Sequence, residues 1–359
     1  MKFGIFSAPY SVDYAFGRRT AKQVIEWDLQ MVKWAEEYGW DEAFFAEHYT
    51  LGAEPSPAPD AMIAAASQIT ERLTLGAAAH LLPYHNPISL AHRMLWLDNM
   101  TGGRYVAGVA PGAYPSDAQL FCTGDANQKM MVEALDIVQA IIKREGAFKI
   151  EGEYFKVDMP AYDESIAGPH LKPYGKELPI MITGMSENSS TIKFAGARGA
   201  YLLSQQVHEK TWINHWETYS TAAKEAGYDP QKSDWRVCRD IIVADTDEEA
   251  KEIARNGALG LLWREYNIPN FIRLGLGPLL TGGEIPLEEL TIDWMIDNFF
   301  ILGSPDTVAA RIEELYNAVS GFGTLVSFVY EYADTPEAYR RSFELLGQKV
   351  APQLAHLNG

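Results

Sequence analysis

Short apolar segments alternate along this chain with longer segments in which apolar residues recur every three or four positions. Apolar runs of five to about ten residues are typical of strands in a parallel sheet that is covered on both faces. Eight such strands are predicted: Lys2–Ser7, Asp41–Ala46, Leu73–His80, Arg104–Ala110, Glu177–Thr183, Ala200–Ser204, Asp234–Ala244 and Gly323–Tyr330.

Amphipathic helices are predicted between the strands. The clearest covers Thr20–Tyr38 and is ended by Gly39. Its apolar residues Val24, Trp27 and Met31 recur at the spacing of one helix face. The other predicted helices are Pro59–Ile69, Pro87–Met100, Ala126–Arg144, Ser189–Arg198, Glu209–Ala226, Thr246–Asn256, Ser304–Ser320 and Pro336–Ala355.

The alternation of eight strands with helices predicts an α/β fold, specifically a (β/α)8 TIM barrel. Phe148–Lys176 and Gly257–Leu290 break the rhythm, and we interpret them as irregular insertions after strands four and seven that are candidates for a lid. A doubly wound open sheet is the alternative, but the first strand is not followed by its glycine-rich fingerprint GxGxxG. Because no repeat or low-complexity linker divides the chain, residues 1–359 are predicted to form a single domain.

The charge of the chain excludes some classes of partner. Its formal net charge is −18, from 48 acidic and 30 basic residues, so nucleic acid and anionic membranes are expected to be repelled at long range. No apolar run has the length of a membrane span, and the first residues do not resemble a secretory signal. With only two cysteines, Cys122 and Cys238, a reducing cytoplasm is the expected location.

The second predicted strand ends in the pair Glu47-His48. In a parallel barrel the carboxyl ends of the strands surround the active site, so His48 is a candidate catalytic residue. Histidine suits that role because its charge can change near neutral pH. The alternative is an ordinary loop histidine that only makes a hydrogen bond.

Gly76–Pro87 reads GAAAHLLPYHNP and places three alanines at the end of the third strand. Without side-chain bulk, a flat ring could lie against the backbone there, although tight packing of small residues explains the alanines equally well. His80 and His85 follow, and with His48 they suggest a metal site. Because carboxylate or cysteine companions at ligand spacing are missing, no metal is expected.

Thr183–Thr191 reads TGMSENSST between the fifth strand and its helix. Hydroxyl groups and free backbone N–H groups at a helix start form a cradle suited to a phosphate. Ordinary capping by Ser189 or Ser190 is the alternative, but capping needs only one such residue. After the fourth strand, Gly108 and Gly112 permit close backbone approach to a ligand, or they serve a turn.

Five motifs in this chain resemble the bacterial luciferase-like, flavin-dependent monooxygenases. They occur in the order found in that family and span nearly the whole chain. The loop AHLLPYHNP, together with GAYP, is most similar to the branch that acts on terpenes and cyclic ketones, with limonene monooxygenase-like and diketocamphane monooxygenase-like members. The motifs are AEHYT at Ala46–Thr50, LTLGAAAHLLPYHNP at Leu73–Pro87, LDNMTGGRYVAGVAPGAYP at Leu97–Pro115, ITGMSENSSTIKFAGARGA at Ile182–Ala200 and ILGSPDTVAARI at Ile301–Ile312.

The resemblance implies a TIM barrel that binds reduced FMN supplied by a separate NAD(P)H-dependent flavin reductase, and it implies a homodimer. The implied reaction uses O2 to oxygenate an apolar small molecule, such as a cyclic ketone, terpene or aldehyde, through a flavin hydroperoxide. Two alternatives stay open. One is a deazaflavin-dependent oxidoreductase that transfers a hydride, and the other is a flavin-binding barrel without catalytic activity.

The resemblance also assigns roles to residues. His48 matches the catalytic histidine of the family, and Ala78 and Ala79 match the position of a non-proline cis peptide against the flavin. Pro111 stands where luciferase has an arginine for the phosphate, so phosphate binding is expected to depend on the polar loop. The remaining expected cofactor-binding residues are Gly112, Ser186, Asn188, Ser189, Ser190 and Thr191, and the expected substrate-pocket residues are Tyr49, His80, Tyr84 and Tyr114.

Overall fold

A computed structural model describes residues 1–144, 146–161, 165 and 171–357. Parts of the predicted first insertion, residues 162–164 and 166–170, lie outside the described residues. The strands of the described residues, in chain order from β1 to β13, are Lys2–Tyr10, Glu42–Phe45, Thr74–Ala77, His80–Leu81, Tyr105–Ala110, Phe148–Glu151, Lys156–Met159, Ile180–Gly184, Tyr201–Ser204, Trp235–Cys238, Ile241–Val243, Ile301–Gly303 and Thr324–Tyr330.

Eight of these strands close a parallel ring in the order β1-β2-β3-β5-β8-β9-β10-β13, and β13 pairs back to β1. The predicted TIM barrel is therefore confirmed. The strands are buried because their inward side chains fill the barrel and their outward side chains pack under the helices. The extent of a single domain over residues 1–359 stays a prediction.

The helices cover the outside of the ring and the loops at its rim. Among the described residues, no helix is both long and apolar enough to cross a bilayer. In chain order from α1 to α16 the helices are Val12–Ala15, Ala21–Tyr38, Pro59–Ser67, Pro87–Met100, Pro115–Leu120, Asn127–Lys143, Ser190–Ala197, Glu209–Glu225, Asp247–Asn256, Ala258–Leu262, Ile268–Arg273, Gly277–Thr281, Ile292–Asn298, Pro305–Ala318, Pro336–Leu345 and Ala351–Gln353.

The seventh predicted strand, Asp234–Ala244, is two strands. The first half, β10, belongs to the ring, whereas β11 pairs with β12 in a separate parallel sheet. The chain turns at Arg239 and Asp240, which are both buried. A continuous apolar run gives no signal for such a turn, because both halves are buried and only their strand partners differ. The third predicted strand likewise ends early, at Ala77.

The second insertion is helical rather than irregular. It contains α10 to α12, and a π-helical turn over Trp263–Asn267 joins α10 to α11. The prolines of α11 and α12 lie within the first two positions of each helix. The first insertion contains the antiparallel hairpin β6-β7.

A buried ion pair crosses the interior of the barrel. Arg236 on β10 donates from Nε to Oε2 of Glu42 on β2 at 2.8 Å and from Nη2 to Oε1 at 2.7 Å. The two side chains are 7% and 2% exposed. Since β1 and β13 separate their strands in the ring, this two-point contact braces opposite parts of the wall.

We expect Glu42→Gln to lower the free energy of unfolding by about 3 kcal/mol, because removal of one partner leaves the Arg236 charge buried without compensation. The measurement is urea denaturation at neutral pH. The matched control is Asp293→Asn, which breaks the exposed pair of Asp293 with Arg255 and is expected to cost less than about 1 kcal/mol. Equal effects of the two variants would contradict the bracing role.

Candidate active site

A cavity of about 590 Å³ opens at the carboxyl ends of the ring strands. Its wall is formed by residues in the carboxyl-terminal halves of β1 and β13 and by the segments that follow β2, β3, β5, β8 and β9. Residues of the second insertion close one side. The cavity therefore lies where parallel barrels carry their active sites.

His48 lies on the cavity wall between two buried carboxylates. Its Nε2 is 3.5 Å from Oε2 of Glu54, and its Nδ1 is 3.9 Å from Oδ2 of Asp117. The ring of Tyr114 meets the imidazole edge to face, with centroids 5.3 Å apart. Both ring nitrogens of His48 therefore face carboxylate oxygens.

Hydrogen bonds fix the Asp117 carboxylate beside His48. It lies in the first turn of α5 and accepts hydrogen bonds from the backbone N–H of Thr50 at 2.9 Å and from the Thr50 hydroxyl at 2.6 Å. Burial raises the pKa of Asp117, but its interactions with His48 and Thr50 outweigh burial and hold the pKa below its ordinary value. Sequence reasoning missed Asp117 because 69 positions separate it from His48 in the chain.

Ala78 and Ala79 form a flat part of the wall, and the peptide bond between them is cis. The backbone behind them packs very closely against β5. A Cβ on Gly108 would lie 1.8 Å from the carbonyl oxygen of Ala77, so only glycine fits at that position. Both explanations offered for the alanines therefore apply. The segment packs tightly against β5, and its small side chains leave the cavity side open.

Gly112 also lies on the wall, and its φ of +85° favours glycine. A Cβ there would lie 2.7 Å from the hydroxyl oxygen of Tyr84. That hydroxyl accepts a hydrogen bond from Asn127 at 3.0 Å, so it has little room to move away. The close approach predicted for Gly112 is therefore present.

The polar loop between β8 and α7 forms the opposite end of the cavity. Ser189 caps α7, and Gln128 donates to the hydroxyl of Thr191 at 2.9 Å. Among the described residues that line the cavity there is no lysine or arginine. An anion held here would be bound by neutral donors at a helix N-terminus. The predicted phosphate residues on the cavity wall are Ser186, Asn188, Ser189, Ser190 and Thr191.

A chain of hydrogen bonds supports this loop from below. The indole N–H of Trp235 donates to the hydroxyl of Ser204 at 2.9 Å. Because the carbonyl that meets Nε2 of His215 can only accept, Nε2 carries the ring proton, and Nδ1 of the neutral ring accepts from the Ser204 hydroxyl at 3.0 Å. The Nε2–H of His215 then donates to the carbonyl of Ser186 at 3.1 Å. Burial lowers the pKa of His215 to about 4, which keeps the ring in this neutral form.

Three expected substrate-pocket residues lie away from the cavity wall. Tyr84 stacks on Phe121 with centroids 4.5 Å apart, and Tyr49 meets Phe121 edge to face. His80 is buried and bonds through Nε2 to the hydroxyl of Tyr105 at 2.8 Å. Burial, followed by the nearby charges of the neighbouring His85 and Arg93, lowers the pKa of His80 to about 3. Of the four expected residues, Tyr114 lines the cavity.

Glu47 provides the carboxylate companion that the sequence pattern lacked, because its oxygens and nitrogens of His80 and His85 lie within 4.8 Å of one another. The carboxylate accepts hydrogen bonds from Tyr49, from the backbone N–H of Leu81 and from His85. Nη2 of Arg93 lies 3.2 Å from Nδ1 of His85 and can only donate to it, so the proton of His85 is on Nε2 and points at Glu47. In the structure these groups form a hydrogen-bond network.

Aromatic and aliphatic side chains form the rest of the wall, and several come from the insertion. Trp263 donates its N–H to the buried carboxylate of Asp240 at 3.1 Å, and the Tyr330 hydroxyl donates to the same carboxylate. This contact fastens the insertion to the barrel. Sequence reasoning missed these residues because it read the insertion as irregular. The apolar wall consists of Phe6, Phe271, Leu274, Leu276 and Phe328.

The neutral state of His215 predicts a pH effect on stability. Below pH 6.5 His215 is protonated in the unfolded chain, whereas in the folded protein it stays neutral down to about pH 4. Proton binding therefore stabilises the unfolded chain and lowers the free energy of unfolding as the pH falls. The His215→Gln variant lacks this pH-dependent contribution to the free energy of unfolding. We expect the stability advantage of the wild type over the variant to be about 2 kcal/mol smaller at pH 5 than at pH 7.

Urea denaturation at the two pH values measures this difference. His356→Gln, at an exposed histidine, is the control and is expected to leave the pH dependence unchanged. An advantage that is the same at both pH values would show that His215 is not kept neutral by the fold.

A sequence model of the luciferase-like monooxygenases matches residues 1–320. The chain is 34% identical to 2,5-diketocamphane 1,2-monooxygenase 1 of Pseudomonas putida, over 99% of both chains. It is 29% identical to limonene 1,2-monooxygenase of Rhodococcus erythropolis, over 99% of this chain and 87% of that protein. The structure of the oxygenating constituent of 3,6-diketocamphane monooxygenase from Pseudomonas putida, a type II Baeyer-Villiger monooxygenase in complex with FMN, superposes with a TM-score of 0.91 at 34% identity, covering 98% of each chain. The family resemblance is thereby confirmed.

Proposed function

We propose that this chain, which belongs to the luciferase-like monooxygenase family, is the oxygenating component of a two-component enzyme that uses reduced FMN and O2 to oxygenate an apolar cyclic ketone or terpene. One observation carries the proposal. A single cavity combines a polar cradle at a helix N-terminus, a flat alanine wall and a histidine between two carboxylates.

The residues present fit FMN. The helix N-terminus and the hydroxyl groups around Ser189 suit its phosphate, and the surface of Ala78 and Ala79 has no side chain long enough to obstruct a planar ring. The close packing at Gly108 and Gly112 fixes that surface in place. When bound, the reduced flavin supplies the electrons that activate dioxygen.

The chain's own contribution is to orient the reactants, to exclude water and to manage one proton. His48 holds or releases a proton at its imidazole, where general acid–base help is typically worth about 10²–10⁴-fold. The aromatic wall around Phe6, Phe328 and Phe271 excludes water from the reacting groups. The same wall selects an apolar substrate, which agrees with the diketocamphane and limonene in the names of the relatives.

We further propose three properties of the protein in its setting. A separate NAD(P)H-dependent flavin reductase delivers the flavin by transient contact, and the protein works in the cytoplasm. Two copies form a homodimer, for which Trp96 on α4, 62% exposed, and the neighbouring exposed Met100 provide an apolar surface.

His48→Ala is expected to leave FMN binding largely intact and to lower the product yield at least about 100-fold, because the proton is no longer managed at the site. Reduced flavin and O2 then give hydrogen peroxide instead of product. The assay follows product by mass spectrometry and peroxide by a coupled peroxidase, with photoreduced FMN and a panel of cyclic ketones and terpenes.

The exposed His356→Ala variant is the matched control and is expected to behave like the wild type. Unchanged coupling of oxygen consumption to product in His48→Ala would refute the role of His48. If the wild type consumed no oxygen with the whole panel, the oxygenase proposal itself would fail.

The neutral phosphate cradle predicts a weak salt dependence. FMN affinity is expected to change less than about threefold between low and moderately high ionic strength, since no cation on the described wall attracts the phosphate. Pro111→Arg places a guanidinium on the wall and is expected to tighten FMN binding and to make it depend on salt. Fluorescence titration measures both. A steep salt dependence in the wild type would contradict the neutral cradle.

A further inference from the structure

Glu54 is a buried carboxylate on the cavity wall, 4% exposed, and no role follows for it from its position in the sequence. The loop after β2 brings it back to His48. The hydroxyl of Ser56 donates to the carbonyl of Ala46 at 2.6 Å, and the backbone N–H of His48 donates to the carbonyl of Ser56 at 2.9 Å. These two hydrogen bonds hold the ends of the loop together, so the backbone itself keeps Glu54 opposite His48.

The two carboxylates beside His48 have different settings. Asp117 is bonded to Thr50 through the backbone and the hydroxyl, and its pKa lies below the ordinary value. Burial raises the pKa of Glu54, and attraction to His48 and a hydrogen bond with the Tyr266 hydroxyl oppose that effect. Asp117 is therefore a fixed negative charge, whereas the charge of Glu54 depends on its neighbours.

Tyr266, in the π-helical turn of the second insertion, lines the same cavity as Glu54. The insertion is fastened to the barrel at the same turn by Trp263, which bonds to Asp240. Other titratable groups that act on Glu54, or on which it acts, are Tyr10 on β1, Tyr114 after β5 and Asp117 on α5.

We propose that Glu54 is a positioning residue that fixes the orientation of the His48 ring and favours a proton on its Nε2. The proposal deepens the oxygenase function above and rests on it for its catalytic consequence. The Glu54 carboxylate lies 3.5 Å from Nε2 of His48, and a negative charge at that distance favours a proton on that nitrogen. Glu54 does not itself transfer a proton in the reaction, because it acts only through its effect on His48.

The first test needs no flavin. Nitrogen-15 NMR follows the titration of His48 in the flavin-free protein, with the resonance assigned by its loss in His48→Gln. In Glu54→Gln the midpoint of the His48 titration is expected at lower pH than in the wild type. Glu54→Asp, which keeps the charge, is expected to restore most of the difference.

The second test measures coupling against pH. The quantity measured is the product formed per O2 consumed. In Glu54→Gln this yield is expected to fall at a lower pH than in the wild type and to be roughly tenfold lower above neutral pH. FMN affinity is expected to be unchanged. Glu225→Gln removes one exposed carboxylate elsewhere and is the matched control.

A His48 midpoint that is the same in Glu54→Gln and the wild type would overturn the positioning role. A shifted midpoint in a protein that oxygenates nothing would support the pairing of Glu54 with His48 and refute the oxygenase function. The two failures are therefore separate results.

Discussion

Closure of the strand ring is the constraint on which the candidate site depends. The pairing of β1 with β13 joins the two ends of the sequence, and the pairing of β3 with β5 passes behind the bend at Ala78 and Ala79. Together they bring loops from most of the chain to one rim. The ion pair of Glu42 with Arg236 braces the wall from inside near the amino ends of the strands, at the end of the barrel opposite the rim.

Sequence reasoning was most successful where one local pattern carries both the element and its chemistry. His48 at a strand end and the polar loop before α7 are patterns of this kind, and both lie on the cavity wall. Tyr49 was expected in the substrate pocket, but it turns instead to Glu47 and Phe121. Alternation along a strand predicts opposite faces, but it does not say what each face meets.

The missed residues share a different property. Asp117 contacts His48 from a separate element, and Glu54 faces His48 because the loop after β2 folds back, so no local spacing pattern encodes either contact. Asp240 is a further case, because it lies within an apolar run that predicts an unbroken strand and yet its carboxylate binds the insertion through Trp263. A prediction based on hydrophobic periodicity ignores a polar residue inside an apolar segment. Such a residue is nevertheless informative, because burying a charge is costly unless it has partners.

The two ends of the cavity follow different physical logic. At the loop around Ser189 the fold supplies neutral donors, and His215 is kept uncharged beneath it, so the protein offers an anion dipoles rather than opposite charge. At His48 two carboxylates gather negative charge around one imidazole. In a chain with a net charge of −18, a cofactor phosphate is bound against the overall field, which favours modest affinity. Modest affinity agrees with the proposed delivery of reduced flavin by a separate reductase, and both the net negative charge and the lack of a cation among the described lining residues favour it.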